Sequence, residues 1–448
     1  MNSVMRAGFA KVDITPRVGV ELCGFGPYLN RHSVGVRDRL WARAAAFTAS
    51  GKTAVVVACD LVGVTRAMTA RVRARVAATA GLPEDAVMIS CSHTHSGPNT
   101  ANLIGWGDAD EPYRELLPGK IAAAALAALA DQTEAELSHA ESPCPGIGLN
   151  REYDIDAPPL EEVLRDDWRP AKPELTDTTT HVLAVRRSGK LVGWLAYFGC
   201  HPVVCCQETR YIHGDYCGVA MGNLEREHPG AIGLFLQGAQ GDVNSCVVHK
   251  PELDALLALD VIAGRFARAV RAGLSAARPV AVDEVRTARR LVDFSRRPLP
   301  RTEIERQIAQ EEAFIERPEA DERDYATRMA IVRLATWRRF LAGTNRGEAL
   351  AVPVEVQGVR LGPVALLGAP FEIMQAIKND VTAAARTPLP LVMGIVNDLL
   401  GYAPDRTCAA RGGYAADQVP LMVGTPPFSN IHDELVAALS ALDAELAT

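Results

Sequence analysis

A chain of 448 residues, 48% hydrophobic and 23% charged, has the composition of a globular protein with a sizeable core. A net charge of −7 without a sustained Lys/Arg stripe excludes a nucleic-acid surface, and the arginines at 71–75 and 333–339 fall in helix-like contexts that suit solvated faces. No run reaches the roughly 18–20 apolar residues of a transmembrane helix, and Met1-Asn2-Ser3-Val4-Met5-Arg6 lacks the layout of a signal peptide, so the expected location is cytoplasmic.

In chain order, residues 8–63 read as strands around a glycine-rich loop, Leu22-Cys23-Gly24-Phe25-Gly26. Leu40–Phe47 and Ala54–Cys59 are expected to pair, and Cys59-Asp60-Leu61 ends the second of them. A helix through Arg71 and Val76 leads to the apolar run Ala86-Val87-Met88-Ile89, so strand, helix and strand predict an α/β core. An Ala/Leu-rich helix over 118–133 precedes the strand 146–153, and the Asp/Pro/Glu-rich stretch 154–178 reads as a surface excursion. Strands at 180–186 and 191–198, joined by Ser188-Gly189, form a hairpin. Residues 253–277 are an amphipathic helix. A charged helical hairpin over 302–342, broken near Arg317-Pro318, is a solvated pair, a lid or a self-association surface. Strands at 352–356 and 364–367, a helix over 371–385 and a strand at 391–396 follow. No repeat or linker is visible, so one domain over 1–448 is the simplest account. The ten cysteines are scattered, mostly in apolar runs, which suits reduced buried thiols.

Several of these strands end in polar loops bounded by Gly or Pro. Ile89-Ser90-Cys91-Ser92-His93-Thr94-His95-Ser96-Gly97-Pro98 carries two histidines, which point to one side if the strand continues through them. Gly199-Cys200-His201-Pro202 repeats the pattern, and further loops carry Arg151, Asp215, Asp242 and Tyr402. Histidines at strand ends serve as metal ligands or as an acid–base pair, and equally as hydrogen-bonded polar residues of a loop. A few protein ligands with one open position hold catalytic zinc, whose water could attack an amide or ester carbonyl while an Arg and a Tyr stabilise the oxyanion. Asp215 and Asp242 suit caps of turns and helices. His-Glu-x-x-His, paired Cys-x-x-Cys, P-loop and Gly-x-Ser-x-Gly motifs are all absent.

The order of these segments resembles the catalytic domain of the neutral/alkaline non-lysosomal ceramidase family. The pieces that carry the resemblance are Gly8–Pro16, Cys59–Gly63, Ser92-His93-Thr94-His95-Ser96-Gly97-Pro98, Asn150-Arg151, Cys200-His201-Pro202, Gly214-Asp215-Tyr216, Gly238–Val243 and Gly401-Tyr402. The resemblance implies an α/β fold of central mixed β-sheets flanked by helices, with the hairpin as an excursion. It implies one zinc per chain, held by His93, His201, Tyr402 and a glutamate. The family's glutamate lies in a Gly-Glu at a strand end; here that place reads Gly368-Ala369-Pro370-Phe371-Glu372. Glu372 is therefore the expected fourth ligand, beside its reading as an ordinary first-turn residue. His95 would shuttle a proton, and Arg151 and Tyr414 would assist at the carbonyl. Cys205-Cys206 is expected to be pocket wall. Ceramidases also carry a C-terminal β-sandwich and are usually exported, features this chain is not expected to share. The expected activity is hydrolysis of an N-acyl amide bond in a soluble small molecule, without nucleic acid or membrane span. An esterase or lactonase, and a non-catalytic binding protein on the same fold, stay open beside it.

Overall fold

One chain path is drawn three times. In the computed structural model, which describes residues 5–153 and 158–448, three sheets each begin with an antiparallel meander of three strands. A helix then crosses over, and a fourth strand returns parallel to the third. In the first sheet the strands are Arg6–Asp13, Trp41–Ala49, Lys52–Cys59 and, after helix Arg66–Ala80, Val87–Cys91. In the second they are Glu136–Pro143, Thr179–Arg187, Lys190–Phe198 and, after helix Asp215–Glu227, Ile232–Gln237. In the third they are Val285–Val292, Val354–Leu361, Val364–Gly368 and, after helix Gln375–Ala384, Leu389–Met393. A second helix packs beside each crossover helix: Glu111–Ala130, Glu252–Ala276 and Ile431–Ala447.

Strand periodicity explains the layering. Alternate residues of each sheet turn inward to one shared core, as do Phe47, Val56, Leu195, Tyr197, Val359 and Leu366. Their neighbours turn outward onto the helix pair of that sheet: Val55 and Val57 in the first, Trp194 and Ala196 in the second, Val356 and Leu367 in the third. Strands covered on both faces are apolar throughout, which is why the sequence shows runs and little alternation. The turns between second and third strands repeat as well. Ser50-Gly51 and Ser188-Gly189 both have positive φ at each residue (49° and 72°, 49° and 80°), the geometry of a two-residue hairpin loop. Gly362-Pro363 takes their place in the third sheet, with the glycine at φ 55°.

The mixed α/β architecture agrees with the sequence reading. The threefold repeat does not, because it is one of topology and leaves no matching residues. Three local readings are also corrected. The helix expected from Phe371 begins at Gln375, and Glu372–Ile373 is a short strand beside Tyr402–Ala403. The stretch read as an excursion contains helix Leu160–Val163 and the buried Val163 and Trp168; its residues 154–157 lie outside the described ones. The strand at Val87 ends at Cys91, before both histidines. The hairpin forms as helices Arg301–Ile315 and Tyr325–Asn345. It is anchored by Ile304, Trp337 and Phe340 against Leu421 and by the Arg333–Glu311 pair. Among the described residues no helix is long and apolar enough to cross a membrane. All ten cysteines are free and buried.

Candidate metal centre

The carboxyl ends of the parallel strand pairs open onto one place, where loops from all three sheets meet. The first sheet sends His93 and His95, the second His201, the third Glu372 and Tyr402. Strand Gly148–Asn150, paired with Val243–Ser245, brings Arg151.

His93 does not arrive by strand alternation. Its backbone is left-handed, φ 69°, with its N–H donating to Leu61 O at 2.8 Å. That turn brings the Nε2 atoms of His93 and His95 to 3.3 Å from each other. The ring of His95 packs against Gly24, at φ 103°, where a Cβ would lie 2.5 Å from Nδ1; the glycine read from sequence as allowing close approach does so here. His93 Nδ1 lies 2.7 Å from Val62 O, and His201 Nδ1 lies 3.2 Å from Val243 O. A carbonyl only accepts, so both Nδ1 atoms carry the proton and both Nε2 lone pairs are left free. They face Glu372, whose Oε2 is 2.8 Å from His201 Nε2 and 3.5 Å from His93 Nε2. The three ligand atoms lie within 4.8 Å of one another.

Around this trio, Tyr402 stacks on His201 with ring centroids 6.2 Å apart, and Arg151 lies over the Tyr402 ring at 4.9 Å. Tyr414 meets Tyr402 edge-on at 6.0 Å. Burial pushes His201 down to about 4, and burial with the neighbouring His93 pushes His95 well below the usual imidazole range. Both rings are neutral at pH 7. Burial would raise Glu372, but the imidazoles of His93 and His201 more than offset it and hold the carboxyl well below its ordinary value. The Tyr402 and Tyr414 hydroxyls are pushed up, chiefly by burial, and keep their protons. No Lys or Arg forms an ion pair with Glu372 among the described residues; two imidazoles and a buried carboxylate with converging free lone pairs form a donor set that suits a divalent cation such as zinc.

A cavity of about 240 Å³ opens over the trio, lined by Phe25, Trp106, Asn244, His249, Tyr325 and the residues above it. All seven residues singled out in the sequence gather here. Tyr325 at the head of the second hairpin helix, and Trp106, were not foreseen, since neither stands in a recognisable motif. Phe25 sits in the glycine loop already noted. The other polar groups have structural tasks. Asp215 accepts from the backbone N–H of Val204, Cys205 and Tyr216, and Asp242 from Gln375 N and Asn150 Nδ2. Glu152 pairs with Arg411, which leaves Arg151 turned to the pocket. Cys205 and Cys206 are buried and do not line it; they are not the pocket wall the sequence suggested.

Residues 5–297 match the family described as neutral/alkaline non-lysosomal ceramidase, N-terminal. The fold is similar to the neutral ceramidase from Pseudomonas aeruginosa, with a TM-score of 0.76 and 19% identity over 100% of this chain and 75% of that one. A ceramidase complexed with C2 is similar to the same degree, TM-score 0.76 and 19% identity, over 99% and 75%. No curated protein matches. The chain belongs to the neutral/alkaline non-lysosomal ceramidase family, which makes it a hydrolase acting on amide bonds.

Proposed function

We propose that this protein is a zinc-dependent hydrolase of N-acyl amides, with a small soluble substrate in place of ceramide. The observation that carries the reading is the pair of imidazoles locked at Nδ1 by backbone carbonyls, with Nε2 turned to a carboxylate that has no other cation. His93, His201, Glu372 and Tyr402 would hold the ion. When bound it would supply Lewis-acid activation, lowering the pKa of a water to about 7 and polarising the scissile carbonyl.

The remaining steps belong to the side chains. His95, neutral and next to His93, accepts at Nε2 the proton of the attacking water and returns it to the departing amine. Arg151 and the Tyr414 hydroxyl donate to the carbonyl oxygen as it gains charge. Phe25, Trp106 and Tyr325 wall the cavity and exclude water. Its volume of about 240 Å³ is below the roughly 300–1,000 Å³ of sites for drug-sized ligands. That size supports a short acyl group and argues against two long lipid chains. A panel of N-acyl amides of increasing chain length, with matched esters, tests the reading on protein before and after chelation. Amide cleavage that falls with chelation and returns with zinc is the expected result. Full activity in metal-free protein would overturn the metal role; preference for esters would overturn the amide assignment.

A further inference from the structure

Outside the catalytic pocket, one other group of histidines sits on rigid backbone. His139 and His181 lie on neighbouring antiparallel strands of the second sheet, Glu136–Pro143 and Thr179–Arg187. His181 is directly across from Glu141, and His139 is two residues before Glu141, so all three side chains leave one face at one end of the sheet. His139 Nε2 is 3.3 Å from His181 Nδ1, and the two rings are nearly coplanar in direction, 14° apart. Glu141 Oε1 is 4.0 Å from His181 Nδ1, and the three candidate ligand atoms all lie within 4.8 Å of one another. None of the three residues lines the catalytic cavity.

We propose that His139, His181 and Glu141 form a second divalent-cation site, of the class that takes zinc. Two nitrogens bound tetrahedrally at roughly 2.0–2.1 Å stand about 3.3 Å apart, the separation already present between the rings. At pH 7.5 imidazole is mostly neutral, since its ordinary pKa is about 6.5. One ring now donates to the other. On binding, that donor ring moves its proton to its outer nitrogen, so both inner lone pairs become available and no net proton is released. Glu141 is largely exposed, with a side chain 61% accessible, and among the described residues no Lys or Arg ion-pairs with it. Its carboxylate therefore swings in at little cost, and water completes the shell. The charged neighbours of His181, Asp177 and Lys378, are paired with each other and leave the local charge near neutral. Tyr197 closes the inner side, edge-on to His181 at 5.8 Å. The strands hold the imidazoles in place before the ion arrives, which is what a site of only three protein ligands requires.

The test is a comparison of zinc stoichiometry in chelator-stripped protein, by titration calorimetry and elemental analysis. The wild type is compared with His139→Ala/His181→Ala and with Glu141→Ala. The double variant is expected to bind one zinc fewer per chain than the wild type, with amide hydrolysis unchanged. Glu141→Ala, an exposed substitution that leaves folding intact, is expected to keep the ion at about tenfold weaker affinity. Saturating zinc is expected to raise the melting temperature of the wild type more than that of either variant. Equal stoichiometry in wild type and double variant would overturn the site and leave the rings as a hydrogen-bonded pair. Because the readout is a difference of one ion, it holds whether or not the catalytic trio binds zinc.

Discussion

Asp60 and Glu372 stand at corresponding points of the first and third sheets, just past the end of the third strand, and both are buried. Asp60 meets Arg43 on the adjacent strand at 2.7 Å and accepts from Trp41 N at 2.9 Å, while Arg43 also holds Glu225 at 2.9 Å. Glu372 meets only histidines. In the third sheet the residue facing the strand's end is the neutral Gln357. Burial raises Asp60 above its ordinary range despite Arg43, whereas Glu372 is held well below its own. Position in the repeated path therefore brings a carboxylate to the sheet end, and the presence or absence of an arginine on the next strand decides its task. With a fixed cation it ties strands together; without one it is free to hold an exchangeable ion.

The widest separation between the two is expected from paired substitutions. Glu372→Gln is expected to abolish stoichiometric metal binding and to lower hydrolysis by more than the roughly 10–100-fold that loss of a second-shell partner causes. Its urea midpoint should stay close to that of the wild type. Asp60→Asn is expected to do the reverse. Leaving Arg43 with one of its two carboxylates destabilises folding by up to about 3–5 kcal/mol, the range for breaking a buried pair, while metal content per folded chain stays constant. Metal lost from Asp60→Asn and kept by Glu372→Gln, measured by elemental analysis, would break the distinction.

How much of this is legible in sequence follows from the same contrast. Histidines in Gly/Pro-bounded loops after apolar runs announce themselves, because few other contexts place His-Thr-His or Cys-His-Pro there. Glu372 does not: it is four residues past its strand, behind Ala369 and Pro370, and reads equally as the start of a helix. The structure separates the two by pairing Glu372–Ile373 with Tyr402–Ala403, a non-local contact that no window of sequence contains. The convergence of His93 and His95 was expected for the wrong reason, since a left-handed residue at His93 does what strand alternation was expected to do. The threefold path escaped notice because topology constrains hydrophobic pattern and turn placement, and the only residues it repeats are Ser-Gly at two of its three hairpin turns.

The hairpin tests the comparison from outside the repeat, because Tyr325 reaches the pocket from an element that none of the three sheets supplies. Tyr325→Ala removes an aromatic wall without touching any candidate ligand. It is expected to leave metal content unchanged and to raise kcat/KM for a longer N-acyl chain by about tenfold relative to the shortest one. Equal changes across all chain lengths would show that Tyr325 acts on the chemistry and does not set acyl length.

The smallest effect concerns a histidine that the fold uses for structure. His213 is fully buried, accepts the Asp215 N–H at Nδ1 (3.1 Å) and takes the Thr94 hydroxyl on its carbonyl (3.1 Å), so it joins the second sheet to the His93–His95 loop. Burial pushes its pKa down to about 3 from an ordinary 6.5. Below pH 6.5 the unfolded chain binds a proton there that the folded chain refuses. This histidine's stabilising contribution is thus complete above pH 6.5 and is lost as pH falls through that value toward 3. His213→Asn keeps an acceptor for the Asp215 N–H and removes the titration. The wild type is therefore expected to lose more of its urea midpoint between pH 7.5 and pH 5 than the variant does. Asp215 opposes the trend: burial raises it to about 6, so it favours the folded state as pH falls from 6 toward 3.8. Because the variant keeps Asp215, the difference between the two curves isolates the histidine. Superimposable curves would mean that His213 does not contribute to the acid limb, and that its Nε2, which has no partner in the structure, is protonated in the folded protein.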